Sequence, residues 1–262
     1  MGSVCAESAS PSARPPVSPR PDSSDPARYL AVIPARDERA TVGAVVAGVR
    51  DAVGCRVLVV DDHSRDDTAA VARAAGADAL TLPFNLGAWG ATQAGIRYAR
   101  RHGFAGVVTI DADGQHEPSS LPQMFAARAR TGANVVIGTC VERLSPAKRL
   151  AWNYLRALTG LRLEDFTSGL RLYDAHATEI LAGPEASLLD YQDVGVLMLL
   201  AKNGLRVVET PVSMQPRRSG HSRVFASWPV VARYMLHTTV LCLAQIDAGR
   251  RRTRIKEGVA AC

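Results

Sequence analysis

Short runs of β-branched and aliphatic residues recur along this chain, each closed by a polar turn and followed by a segment of helical spacing. Tyr29–Ile33 is the first, ended by Pro34 and the turn Ala35-Arg36-Asp37-Glu38. A helix follows from Thr41, although its β-branched residues and two glycines lower its propensity. Arg56–Val60 reads as a second buried strand, running into Asp61-Asp62-His63-Ser64. Asp66 to Ala75 suits a helix whose acidic first turn complements the macrodipole. A short strand near Ala79–Leu82 comes next, and the glycine-rich Asn85-Leu86-Gly87-Ala88-Trp89-Gly90 opens a helix reaching about Arg101. Val107–Ile110 is a further buried strand. This alternation predicts an α/β fold: a mostly parallel sheet with helices on both faces.

The second half is less regular. Pro118–Arg130 reads as a helix, Asn134–Thr139 as a strand, and Ser145-Pro146 starts a helix ending near Leu158. Leu163–Tyr173 is a loop or strand, Val194–Lys202 a helix, and Leu205–Val208 a strand leading into Glu209. Residues 1–28, rich in Pro, Ser, Ala and Arg with no apolar core segment, read as a disordered tail and not as a signal peptide. Residues 29–223 form a single domain. Residues 224–248 form an amphipathic C-terminal helix, interrupted by Arg233, His237 and Gln245 and too polar for a membrane span. Such a helix either packs on the core or lies on a membrane surface. Residues 249–262 are a basic tail.

At 262 residues the chain can bury a sizeable core. Its net charge of +6 favours anionic partners such as nucleotides, phosphates or lipid headgroups. No nucleic-acid-reading module is recognisable, so no nucleic-acid partner is expected. The five cysteines are scattered and lack paired spacing, which points to reduced thiols and a cytoplasmic setting.

The most chemically loaded stretch is Asp111-Ala112-Asp113-Gly114-Gln115-His116-Glu117-Pro118, directly after the Val107–Ile110 run. Two carboxylates at a strand end can converge on one hard cation, Mg2+ or Mn2+, with Gln115 adding a neutral oxygen. A cation held this way typically also binds substrate phosphate oxygens. Alone, the segment also admits the lesser reading of a solvated acidic turn. However, Asp37, Asp61 and Asp62 also fall at strand ends, where parallel sheets bind ligands.

Six segments together resemble the family 2 glycosyltransferases with the GT-A fold: Ile33–Glu38, Val59–Thr68, Asn85–Ala91, Asp111–Pro118, Thr167–Tyr173 and Glu209–Arg223. The resemblance is nearest to the dolichyl-phosphate mannose synthase and polyprenyl-phosphate sugar transferase branch. It implies that Pro34, Ala35, Glu38, Asp61, Asp62, Gly87, Gly90, Asp111, Ala112 and Asp113 bind a nucleotide-diphospho-sugar. It implies metal ligands at Asp111, Asp113 and Gln115. Asp37 replaces the asparagine common in the family, a change expected to alter loop bonding. The glycines, taken alone, read as a tight turn and a helix start.

Lys148, Arg149, Arg171, Arg217, Arg218 and Arg223 occupy family positions around donor or acceptor phosphate, where arginine makes forked, charge-assisted bonds. Singly, each reads as a solvated surface charge. Catalytic candidates are Asp113, Arg171 and Asp193, with Asp165 an alternative base; Asp190 and Asp193 read equally as helix caps. The resemblance implies a metal-dependent inverting transferase that moves a sugar, mannose ahead of glucose or GlcNAc, onto a polyprenyl phosphate. A cytoplasmic enzyme is expected, and the helix over Val224–Ile246 with the basic tail offers it a peripheral anchor on the inner face of the cell membrane. The alternatives are a soluble transferase acting on a small-molecule or saccharide hydroxyl, and a non-catalytic nucleotide-sugar-binding protein.

Overall fold

Tyr29, Leu30, Ala31, Val32 and Ile33 are all fully buried, so the first strand is covered on both faces. The computed structural model describes residues 25–140, 146–189, 193–215, 236 and 238–240, and for 146–150 the backbone alone. Strands β1 (Tyr29–Ala35), β2 (Arg56–Asp61), β3 (Asp78–Thr81), β4 (Gly106–Thr109), β5 (Val135–Thr139), β6 (Arg171–Asp174) and β7 (Val207–Pro211) form one sheet. Their order is β3-β2-β1-β4-β6-β5-β7. β1 runs parallel to β2 and β4, β2 to β3, and β5 to β7, while β6 is antiparallel to both β4 and β5. The expected mostly parallel sheet is the observed one.

Alternate residues of each strand face opposite cores. Tyr29, Ala31, Ile33, Val57, Val59 and Val108 pack with α1 (Val42–Val53), α2 (Thr68–Ala74) and α4 (Leu121–Thr131). Leu30, Val32, Leu58, Val60 and Val107 pack with α3 (Gly87–Arg101), α5 (Pro146–Thr159), α6 (Ala175–Ala182) and α7 (Val194–Lys202). The strand order reverses between β1 and β4, and the crevice beyond their carboxyl ends is where this architecture binds ligands.

The sequence reading missed α6. Its eight residues show no clear apolar period, and its real signal is Asp174, whose side chain accepts the Ala177 N–H. The helix expected from Pro118 begins instead with a 3-10 turn, Pro118–Ser120, before α4. β7 begins two residues beyond the expected Leu205, because Val207 is the residue that pairs with Val135. Cys55 and Cys140 are free thiols, and burial pushes the Cys55 thiol up to about 12.

Among the described residues, no helix is long and apolar enough to cross a membrane. Of the tail expected over residues 1–28, residues 1–24 lie outside the described residues, while Pro26–Arg28 form a 3-10 turn capped by Asp25; the basic tail over residues 249–262 and most of the helix over 224–248 also lie outside them. So do Asp190, Arg217, Arg218 and Arg223.

Candidate active site

Two residues after β1 and β2 adopt the left-handed conformation that side chains rarely enter: Asp37 at φ 56° and His63 at φ 61°. Asp tolerates it by bonding locally. Asp37 Oδ1 accepts the Arg65 N–H at 2.7 Å, and its own N–H donates to Ser64 Oγ at 3.0 Å. The Glu38 N–H donates to Thr68 Oγ1 at 2.9 Å, while Glu38 Oε2 accepts from Thr41 Oγ1 at 3.0 Å. The loops after β1 and β2 are thus laced into one rim. Asp66 joins them: burial alone would raise its pKa, but hydrogen bonds from Thr68 and Arg39 and the Arg39 charge hold it below the usual range.

Ala35 pairs with Asp61 across the two strands, so Pro34 and Ala35 lie level with the first acidic residue. Asp61 is buried and its Oδ1 accepts the Ser64 N–H at 3.1 Å. Asp62 is buried as well, and its carboxylate accepts the N–H groups of Leu86 at 2.6 Å and Gly87 at 3.0 Å, with Asn85 Nδ2 as a third donor. Gly87 has φ 78°, a conformation that favours glycine. At Gly90 a Cβ would lie 2.6 Å from Leu86 Cβ, so its bareness lets the loop fold onto α3.

Past β4, the side chain of Asp111 is 47% exposed while Ala112 is buried. Asp113 Oδ1 accepts the Gln115 N–H at 3.0 Å across a turn in which Gly114 has φ 72°. Both acidic residues and Gln115 therefore ring one short turn at the strand end. His116 is buried beneath it, with Nε2 3.9 Å from Asp111 Oδ2 and Nδ1 without a hydrogen-bond partner. Among the described residues no three acidic, His or Cys side chains converge as a closed metal cage. Two carboxylates and an amide oxygen instead suit a hard cation that completes its shell with water or phosphate oxygens. The residues present fit Mg2+ or Mn2+ in that shared mode.

The segment that leads into the basic stretch docks on this turn. His116 bridges Met214, the Gln215 N–H donates to the Gln115 carbonyl at 2.7 Å, and Gln215 Nε2 donates to Glu117 Oε1 at 2.9 Å. Lys148 and Arg149 lie in the first turn of α5, of which the backbone alone is described. Arg171 departs from expectation. It is fully buried and presents no surface to a phosphate; Nε donates to the Ser168 carbonyl at 2.9 Å and Nη2 to the Phe166 carbonyl at 2.7 Å. Asp193 occupies the N-cap position of α7 without its side chain capping the helix. Asp165 is buried, and its Oδ1 accepts both the N–H and the hydroxyl of Thr167.

The sequence model described as glycosyl transferase family 2 matches residues 30–186. The chain belongs to that family. It is 33% identical over 242 residues to the undecaprenyl-phosphate mannosyltransferase of Micrococcus luteus, covering 86% of this chain and 98% of the relative. With the polyprenol monophosphomannose synthase of Mycolicibacterium smegmatis it shares 32% identity over 76% of this chain and 82% of the relative. The glucosyl-3-phosphoglycerate synthase of Mycobacterium tuberculosis, solved with Mn2+, uridine-diphosphate and phosphoglyceric acid, superposes with a TM-score of 0.61 at 20% identity. That likeness covers 83% of this chain and 78% of the other, and it is one of fold. As a family 2 glycosyltransferase the protein is an enzyme, which removes the reading as a non-catalytic binding protein.

Two features of this glycosyltransferase's site escape sequence reasoning. Glu209 accepts the N–H groups of Glu164 and Asp165 at 2.8–2.9 Å, tying the Leu163–Ser168 loop to β7. Burial pushes its carboxyl up, against those hydrogen bonds and with the help of the neighbouring Glu164 and Asp165 charges. Gly169 is the second. A Cβ there would lie 2.6 Å from Asp111 Cγ, so its backbone abuts the acidic residue directly. An isolated glycine in a strand-like stretch is the signal for such a close approach.

Proposed function

We propose that this glycosyltransferase moves a sugar, mannose foremost, from a nucleotide-diphospho-sugar onto a polyprenyl phosphate. The observation that supports the donor half is the turn after β4, which carries Asp111, Asp113 and Gln115 just beyond the carboxyl end of that strand at the reversal of strand order, with Asp113 accepting the Gln115 N–H. The base and ribose belong beside Asp61 and the rim built by Asp37, Glu38 and Asp62. A bound Mg2+ or Mn2+ would neutralise the diphosphate and stabilise it as a leaving group. Asp111 and Asp113 supply the carboxylates that hold it, and Gln115 an amide oxygen. The acceptor half rests on the two relatives, whose names specify undecaprenyl phosphate and polyprenol phosphate chemistry.

A phosphate acceptor is already an anion at neutral pH and needs positioning more than deprotonation. Lys148, Arg149, Arg217, Arg218 and Arg223 supply the positive charge for that task, and Arg217 and Arg218 follow in sequence within three residues of Gln215, which contacts the Asp113–Gln115 turn. Arg171 serves the site from beneath, through backbone carbonyls. A hydroxyl acceptor would instead require a base. Asp193, at the N-cap position of α7, is the residue for that second reading.

A lipid acceptor would call for a peripheral position on the inner face of the membrane. Leu236 and Val240, four residues apart and on one helix face, are 68% and 55% exposed. The run Arg250-Arg251-Arg252-Thr253-Arg254-Ile255-Lys256 adds charge complementary to anionic lipid.

The test is a turnover screen of the full chain with Mn2+ or Mg2+, a panel of GDP- and UDP-sugars, and a short polyprenyl phosphate. The expected result is transfer from GDP-mannose that stops with EDTA. Donor hydrolysis without transfer to the lipid phosphate would sink the acceptor assignment and make Asp193 the next residue to change.

A further inference from the structure

Gly169 lies where the Phe166–Leu170 turn crosses the end of β4, and its missing side chain is the space the Asp111 carboxylate fills. The turn is held from several directions. Thr109 Oγ1 donates to the Gly169 carbonyl at 2.8 Å, the Gly138 N–H to the Leu170 carbonyl at 2.9 Å, and the Leu170 N–H to Ser168 Oγ at 3.3 Å. Arg171 reaches back from β6 to the carbonyls of Phe166 and Ser168. Its guanidinium is fully buried, and Nη1 has no partner. Burying a guanidinium with an unpaired donor is costly, and such a group persists where the surrounding structure needs it. Phe166 is locked in turn by the edge of Trp152, at 5.9 Å between ring centroids.

We infer that this turn is a positioning device for Asp111, in which Gly169, Thr109 and Arg171 fix the direction of the carboxylate. The inference rests on the proposed role of Asp111 and Asp113 as metal ligands. Gly169 has no left-handed φ, so alanine there brings no backbone strain. The obstacle to its methyl group is the Asp111 side chain, which can rotate away. The chain should therefore accept Gly169→Ala as a fold while losing the orientation of one ligand. Supports of a metal ligand typically matter by about 10- to 100-fold in metal affinity.

The experiment measures Mn2+ binding to the full chain by electron paramagnetic resonance, with GDP or UDP present, alongside thermal melting. Gly169→Ala is expected to weaken Mn2+ binding by at least about tenfold with melting within about 2 °C of the parent. Thr109→Val, which removes one bond to the turn, is expected to weaken it by a smaller factor in the same direction. Arg171→Lys is expected to lower both affinity and melting temperature, because one ammonium cannot span both carbonyls. Asp113→Ala is the control for the site itself. If Asp113→Ala abolishes Mn2+ binding while Gly169→Ala and Thr109→Val bind as the parent does, the positioning role is wrong and the metal site stands. If Asp113→Ala also binds as the parent, or the parent binds no Mn2+, the metal assignment fails and the inference with it.

Discussion

Asp62 holds Gly87 across 25 residues of chain: one carboxylate oxygen accepts the Gly87 N–H at 3.0 Å, and the other accepts the Leu86 N–H at 2.6 Å. The Asp62 N–H donates in turn to the Ala35 carbonyl at 2.8 Å. One buried residue therefore joins the end of β1, the end of β2 and the entry to α3. Asp62→Asn replaces an acceptor oxygen with an amide that cannot serve two N–H groups. Leaving a buried donor unpaired costs about 1–3 kcal/mol. The expected result is a loss of that size in denaturant unfolding, with weaker nucleotide binding by calorimetry. Unchanged stability would mean that the loop finds other partners.

The front half of the fold is legible because its strands are continuous apolar runs that stop at acidic residues. Ile33, Val60 and Ile110 each precede a polar turn, and each lies in the sheet or beside it. The acidic rim is legible for the same reason. The partner of Asp62 is not, since nothing local in Asp61-Asp62-His63 points to residues 85–87. Arg171 misleads for a different reason: its phosphate-facing reading follows from the family resemblance, and arginine is seldom fully buried. What buries it is the β4–β6–β5 pairing, in which it stands opposite Thr109 on one side and Ile137 on the other. No periodicity carries that pairing.

Asp113 is partly exposed and makes a local turn bond to the Gln115 N–H. Its removal touches little of the core. In the proposed role, a metal held here would supply several kcal/mol of charge stabilisation to a leaving diphosphate. Asp113→Ala should therefore lower turnover by at least about a hundredfold, at 1.4 kcal/mol per factor of ten. Melting should move by no more than about 2 °C, as for a substitution away from the core. Steady-state rates at saturating donor and a thermal scan decide it. Turnover within threefold of the parent would exclude this carboxylate from the mechanism.

Glu209 gives a pH signature whose sign follows from its environment. Burial raises its carboxyl above the ordinary 4.5. Ionisation is thus harder in the folded chain than in the unfolded one, and the stability this residue contributes is greatest below the ordinary value. That contribution declines as pH rises through the raised value. Glu209→Gln keeps one acceptor oxygen for the Glu164 and Asp165 N–H groups and does not titrate. The stability of the parent relative to Glu209→Gln should fall as pH climbs from about 4 upward. Urea unfolding of both proteins across that range measures the difference, and a difference that grows with pH would reverse the assignment.

Thr238 is buried while Leu236 and Val240 are exposed, so at these positions the helix turns a polar residue inward and apolar ones outward. Tyr154 and Thr239 share a hydrogen bond at 3.1 Å, which ties the same helix to α5. An outward apolar pair followed ten residues later in sequence by a basic run has the composition of a surface-bound segment. Leu236→Asp combined with Val240→Asp should abolish co-sedimentation with vesicles containing anionic lipid. Transfer to a short, water-soluble prenyl phosphate should persist near the parental rate, because neither side chain belongs to the donor site. Loss of both activities together would show that this face packs within the protein. Unaltered vesicle binding would move the membrane contact to the basic run, where raised salt would release the chain from the vesicles.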